Sequence, residues 1–151
     1  MNVLIAVDFS PVSKAMIEAV PSLVRSPESA DPHFFLVHVA EPDPAFVGWE
    51  AGPDVVRDQM AQEFHREHEQ LAGLADDLRA SGATNVTPLL IQGPTVEAIL
   101  EQSHKLNATL LVVGSHGRGK TWDVLVGSIS SALIRKSEVP VLVVPSRAGQ
   151  P

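Results

Sequence analysis

The sequence predicts a doubly wound α/β fold: a five-stranded parallel sheet with helices on both faces. Two observations predict it. Five short runs, Val3–Val7, Phe34–Val39, Val86–Ile91, Thr109–Val113 and Val141–Val144, are almost continuously apolar, the pattern of strands buried on both faces rather than on one. Between them lie four segments with helical spacing, so the order is β-α-β-α-β-α-β-α-β, and strands joined through helices pair in parallel by right-handed crossovers.

Taken in order, the first strand is cut off by Asp8, and Ser10-Pro11 follows as a cap and first-turn proline. The helix after it presents Ala15, Ile17, Ala19, Val20 and Leu23 as its apolar face and ends by Pro27. Ala40–Pro53, rich in proline, glycine and acid, shows no periodicity and reads as a loop. The longest helix runs from about Asp54 to Ser81 with Val55, Met60, Phe64, Leu71, Leu74, Ala75 and Leu78 inward, and Gly82 stands where a left-handed terminating residue belongs. Pro94 opens a third helix with Val96, Ile99 and Leu100 inward. A fourth follows Gly127-Ser128 and carries Ile129, Ala132, Leu133 and Ile134. The expected organisation is one domain, residues 1–145, and a tail, 146–151.

Composition excludes several function classes. No cysteine is present, which removes disulfides, thiol catalysis and thiolate metal sites. Eleven Lys and Arg against eighteen Asp and Glu give a net charge of −7, a field that repels nucleic acid and anionic lipid, so an anionic ligand requires a local site. The N-terminal apolar run is too short for a membrane span and lacks a basic leader, and the expectation is a cytoplasmic protein.

The stretch that carries chemistry is Leu111–Ser130, LVVGSHGRGKTWDVLVGSIS. It follows a strand, holds four glycines with Arg118 and Lys120, and ends at a helix start. Glycines let a phosphate approach backbone N–H groups closely, and a helix N-terminus adds free donors and partial positive charge. The hydroxyls of Ser128 and Ser130 are further expected donors.

Two motif readings compete. Gly114 to Thr121 matches the P-loop pattern Gly-x4-Gly-Lys-Thr literally. Context opposes it: the motif follows the fourth strand rather than the first, no downstream run ends in a magnesium-holding aspartate, and a helix starting at Lys120-Thr121 would place Gly127 in its interior at about 1 kcal/mol relative to alanine. The second reading is Gly114-x2-Gly117-x9-Gly127-Ser128. Together with Val7-Asp8-Phe9-Ser10, Val37-His38-Val39, Gly93-Pro94 and Val139-Pro140-Val141-Leu142-Val143-Val144, this resembles the ATP-binding branch of the universal stress protein family over nearly the whole chain.

The resemblance implies an adenine nucleotide alpha hydrolase-like, Rossmann-like fold and a homodimeric nucleotide sensor or regulator with at most slow, incidental ATP hydrolysis. It implies that Asp8, with Ala6 beside it, contacts the nucleoside and that the Val39 backbone pairs with the adenine edge. Gly114, Ser115, His116, Gly117, Arg118, Gly119, Lys120, Gly127, Ser128, Ile129 and Ser130 would hold ATP, with Mg2+ bridging its phosphates and no protein metal ligand. It also implies pairing through Val141, Leu142, Val143 and Val144, an apolar edge that would be an aggregation liability if left bare. Lys120-Thr121-Trp122 departs from the family's hydrophobic residue after the glycine turn. From the residues alone, Asp8 also reads as a cap for the following helix, the two roles being compatible, and a partner-binding module without nucleotide is the alternative function.

Other candidates are bland. His65, His68 and Glu69 share a helix face but sit in the charged run Glu63–Glu69 and lack the zinc-protease order. His38 falls in a buried strand pattern and reads as a core histidine. No catalytic residue is assigned.

Overall fold

The computed structural model describes residues 1–25, 30–40, 54–115 and 126–145. Its elements follow the predicted order: β1 Asn2–Ala6, α1 Pro11–Val24, β2 His33–Ala40, α2 Asp54–Ala80, β3 Asn85–Gln92, α3 Thr95–Lys105, β4 Leu110–Gly114, α4 Ser128–Lys136 and β5 Val141–Val144. The five strands pair in parallel in the order β3-β2-β1-β4-β5. The chain winds outward through β2 and β3, then returns to the other side of β1 for β4 and β5. The order therefore reverses between β1 and β4.

Side-chain alternation divides the core. Val3, Ile5, Phe34, Leu36 and Val112 pack with Met16, Ile17, Val20, Leu71, Ala75 and Leu78, so α1 and α2 cover one face. Leu4, Phe35, Val37, Leu111 and Val113 pack with Ala98, Ile99 and Leu133, so α3 and α4 cover the other. Burial of the central strands on both faces is why their sequences show no polar alternation. Gly82 ends α2 with φ +98°, as expected of a terminating glycine, and Asn107 ends α3 in the same left-handed region with φ +48°.

Two expected helix faces, those of α1 and α4, are rotated, and that of α2 is buried over only part of its length. In α1 the buried residues are Val12, Ser13, Met16, Ile17, Val20 and Pro21, while Leu23 is 65% exposed. In α4 Ser130 and Leu133 are buried, leaving Ile129 and Ile134 exposed. In α2 Leu71, Ala75 and Leu78 reach the sheet but Phe64 is exposed, and the Val55 side chain lies outside the described residues. The physical reason in α2 is length: 27 residues rise about 40 Å, whereas strands of this size span roughly 17–26 Å. The N-terminal half of α2 therefore overhangs the carboxyl ends of the strands.

The two sheet edges differ. The Val7 N–H bonds to the Val37 carbonyl (2.9 Å), so alternate β2 residues starting from Val37 turn their peptide groups toward β1, and Leu36 turns toward β3. Its register partner Pro88 consequently directs its donor-less nitrogen outward, which spares the ladder and blunts that edge. On the opposite edge, the Leu111 N–H bonds to the Pro140 carbonyl (3.0 Å) and the Ser115 N–H to the Val144 carbonyl (2.8 Å). Leu142 and Val144 thus face β4, and the N–H and C=O groups of Val141 and Val143 face outward.

Between α3 and α4, the Lys136 ammonium lies 3.4 Å from Glu97. Hydrogen bonding by the Glu97 backbone at the helix start, and then Lys136, hold the Glu97 carboxyl below its ordinary range, while Lys105 does the same for Glu101. These contributions are present above the ordinary carboxylate range and fade as pH falls through the lowered values; full exposure keeps them small.

Candidate functional site

A cleft of about 650 Å³ opens at the carboxyl ends of β1, β2 and β4, where the strand order reverses. This is the position at which open α/β sheets place ligands, and the volume suits a nucleotide-sized molecule. Ala6, Asp8, Val39, Gly114, Gly127, Ser128, Ile129 and Ser130 all line it. Val141, Leu142, Val143 and Val144 lie away from it on the outer edge, half-buried. His116, Gly117, Arg118, Gly119 and Lys120 lie outside the described residues, as do Trp122 and the loop residues 41–53.

The floor is built where β1 ends. Beyond Ala6 the chain turns through Phe9, whose φ of +61° is unusual for a bulky residue. The Asp8 carboxylate accepts the Ser10 N–H (3.1 Å) and the Ser13 hydroxyl (3.0 Å), while the Asp8 N–H donates to Ser13 Oγ (3.1 Å). Asp8 therefore ties the turn to α1 through Ser10 and Ser13 without capping the helix, whose N-cap is Ser10, and Asp8 remains on the cleft lining. Ser10 Oγ, also on the lining, is shielded from solvent without a hydrogen-bond partner among the described residues. Val39 shares the β1-facing parity of Val37 but lies past the end of β1, so its peptide groups lie on the open edge.

The opposite wall joins β4 to α4. Gly127 caps α4 in an extended conformation, φ −64° and ψ 163°. Its N–H is committed to the Ser115 carbonyl (2.6 Å), and the Ser130 hydroxyl donates to the Gly114 carbonyl (2.6 Å). The Ser130 proton thus staples the helix to the strand end, a correction to its expected role as a side-chain donor toward a ligand. The first-turn N–H groups after Gly127 remain as donors at this helix end, since the first turn of a helix has no internal acceptors for them. Val126 and Gly127 are non-helical, so no continuous helix runs from Thr121 into α4, against the P-loop arrangement.

Sequence reasoning missed much of the remaining lining. Met60, Glu63, Phe64 and Glu67 come from the overhang of α2, a placement set by packing that no local pattern announces. Gln92 and Thr95 flank Gly93-Pro94 at the end of β3, where polar residues following an apolar strand were the available signal. His38 is satisfied in the core, as expected, yet it too reaches the cleft: it is 6% exposed, its Nδ1 lies 2.8 Å from the Val7 carbonyl, and its Nε2 lies 3.5 Å from Glu67. The charged groups on the described lining are Asp8, Glu63 and Glu67. No group of three or more metal-ligating side chains occurs among the described residues, and no helix there is long and apolar enough to cross a membrane.

Comparison with known proteins agrees with this architecture. A universal stress protein from Mycolicibacterium smegmatis is 31% identical over 145 residues, covering 95% of this chain and 47% of that protein. The chain spans about half the length of several curated relatives that it matches along nearly its whole length. Among solved structures, a universal stress protein from Lactobacillus plantarum superposes with a TM-score of 0.76 at 17% identity, covering 95% of this chain and 97% of that one. One from Archaeoglobus fulgidus, in complex with dAMP, gives 0.63 at 18% identity over 95% and 96%. At such identities the likeness concerns the fold. The sequence profile of the universal stress protein family matches residues 1–145, and the chain belongs to that family.

Proposed function

We propose that the protein binds ATP in this cleft and acts as a homodimeric, cytoplasmic nucleotide sensor or regulator, with hydrolysis at most slow. The observation that carries the reading is the convergence, at one strand-order reversal, of the Asp8 turn, the open peptide edge at Val39 and the α4 N-terminus behind Gly127. The nucleoside would lie against Asp8 and Val39, with the phosphates toward Gly127, Ser128 and Ile129. Arg118 and Lys120, nearby in sequence, would supply the positive charge that the described lining lacks, and Mg2+ would bridge phosphates. The Archaeoglobus fulgidus neighbour, solved with dAMP, supports an adenine nucleotide as the ligand class.

Calorimetric titration of nucleotide-stripped protein tests it. The expected result is saturable binding of Mg-ATP at one site per chain, preferred over GTP. Absence of binding would move the reading to a partner-recognition module without nucleotide.

Dimerisation would proceed through β5, because Val141 and Val143 present outward backbone donors and acceptors whereas Pro88 interrupts the β3 edge. Val143→Pro removes one outward N–H and leaves the β4 ladder intact. Wild type is expected to sediment at twice the 16.1 kDa chain mass and the variant as a monomer. A dimeric variant would place the interface elsewhere.

A further inference from the structure

We infer that His38 is a positioning residue for the nucleoside end of the cleft, a latch that ties the Asp8 turn to the overhanging half of α2 when both of its ring nitrogens carry protons. The ring sits between two acceptors. The Val7 carbonyl, 2.8 Å from Nδ1, accepts only, so Nδ1 carries a hydrogen. The Glu67 carboxylate, 3.5 Å from Nε2, accepts only while ionised, so that contact requires a second hydrogen. A neutral imidazole has one hydrogen and opposes its bare nitrogen to an oxygen on one side.

What the latch joins is specific. Val7 immediately precedes Asp8, and Phe9, in its left-handed conformation, packs its ring against His38 with centroids 4.1 Å apart. The imidazole thus holds the Val7 carbonyl before Asp8 and the Phe9 ring after it. On its far side, Glu67 belongs to the α2 stretch that also supplies Met60, Glu63 and Phe64 to the cleft wall. Among the described residues, the charged groups lining the cleft about the ring are Asp8 from the β1–α1 turn and Glu63 and Glu67 from α2. The β3 register partner, Leu90, is apolar. All three charges are negative. Closure of the latch therefore takes up a proton, and whatever it contributes to ligand affinity is present at lower pH and lost as pH rises.

This inference rests on the nucleotide reading for its ligand but not for its geometry, and the experiment separates the two. The His38 ring nitrogens of the whole protein are followed by nitrogen NMR between about pH 5 and 8, alongside Mg-ATP affinity, in wild type, Glu67→Gln and His38→Phe. A doubly protonated His38 at the acid end is expected, losing its Nε2 proton on the alkaline side together with shifts in the Asp8 and Glu67 amide signals. Wild-type affinity is expected to fall about three- to fivefold over the same range, as suits a partly exposed ion pair. Glu67→Gln flattens that profile, because a glutamine amide donates to a neutral Nε2. His38→Phe weakens binding about tenfold at every pH through the unpartnered Val7 carbonyl. Equal pH slopes in wild type and Glu67→Gln, or a His38 protonated on Nε2 alone, would overturn the inference. Should ATP fail to bind at any pH, the nucleotide reading fails, and the ring-nitrogen and amide signals still decide the latch: coupled shifts support it, uncoupled ones refute it.

Discussion

Gly127→Val is expected to lower ATP affinity by two orders of magnitude or more while leaving the melting temperature near that of wild type. The backbone at Gly127 is extended, with φ −64° and ψ 163°, a conformation that valine adopts readily, so the substitution introduces no left-handed strain. The Gly127 N–H, bonded to the Ser115 carbonyl, is also retained. On the proposed binding mode, the valine side chain would compete with a phosphate for the space over the next N–H groups of α4. Two charge-assisted hydrogen bonds at about 1.5–3 kcal/mol each correspond to roughly a hundredfold or more in affinity. Calorimetry with differential scanning reads both quantities. Retained affinity would remove the α4 N-terminus from the binding site; lost stability would make Gly127 a folding residue instead.

The second large effect concerns the core. Leu4→Ala is expected to destabilise the fold by about 3–5 kcal/mol, within the range for leucine truncations in cores that relax poorly. Leu4 is fully buried at the centre of β1, with Phe35 and Leu111 as register partners on either side. It belongs to the cluster that also holds Ile99 and Leu133, so its loss opens a cavity beneath both α3 and α4. Against a typical total of about 5–15 kcal/mol, that is a substantial fraction. Leu23→Ala is the control: Leu23 is 65% exposed, and its truncation should fall within about 0.5 kcal/mol. Urea unfolding of both variants checks the pair, and comparable midpoint shifts would mean that α1 packs through a different face.

Leu4 and Leu23 also mark what was legible in the sequence. The strand runs identified themselves because parallel strands buried on both faces need no alternation, and β5 matches its expected bounds, Val141–Val144. Helix order and caps were equally plain: Pro11 opens α1, Gly127 caps α4 and Gly82 terminates α2. Helix rotation was less so. In α1, Leu23 fitted an apolar stripe by spacing, but the stripe that meets the sheet runs through Val12, Met16, Ile17 and Val20. In α4, the Ser130–Gly114 hydrogen bond turns a serine inward and leaves Ile129 and Ile134 outside. A polar staple outweighed the apolar pattern.

The candidate site divides along the same line. Asp8, Gly114, Gly127 and Ser128, at strand and helix ends, were readable because chain punctuation marks them, whereas Val39 was reached only through the family resemblance. Glu63, Phe64 and Glu67 were not, because they reach the cleft only through the length by which α2 exceeds the sheet. His38 was read as a core residue, and it is one; its second role lies in which acceptors flank its two nitrogens, a matter of register between β1, β2 and α2.

The proposed function requires that one adenine nucleotide occupy the cleft between the Asp8 turn and the start of α4. The most direct measurement is a crystal structure of the protein with a non-hydrolysable ATP analogue and magnesium. The expected result is the base beside the Val39 peptide, the ribose near Asp8, and phosphate oxygens within hydrogen-bond distance of the N–H groups following Gly127. Nucleotide bound at any other surface, or a cleft that excludes it at saturating concentration, would rule out this site.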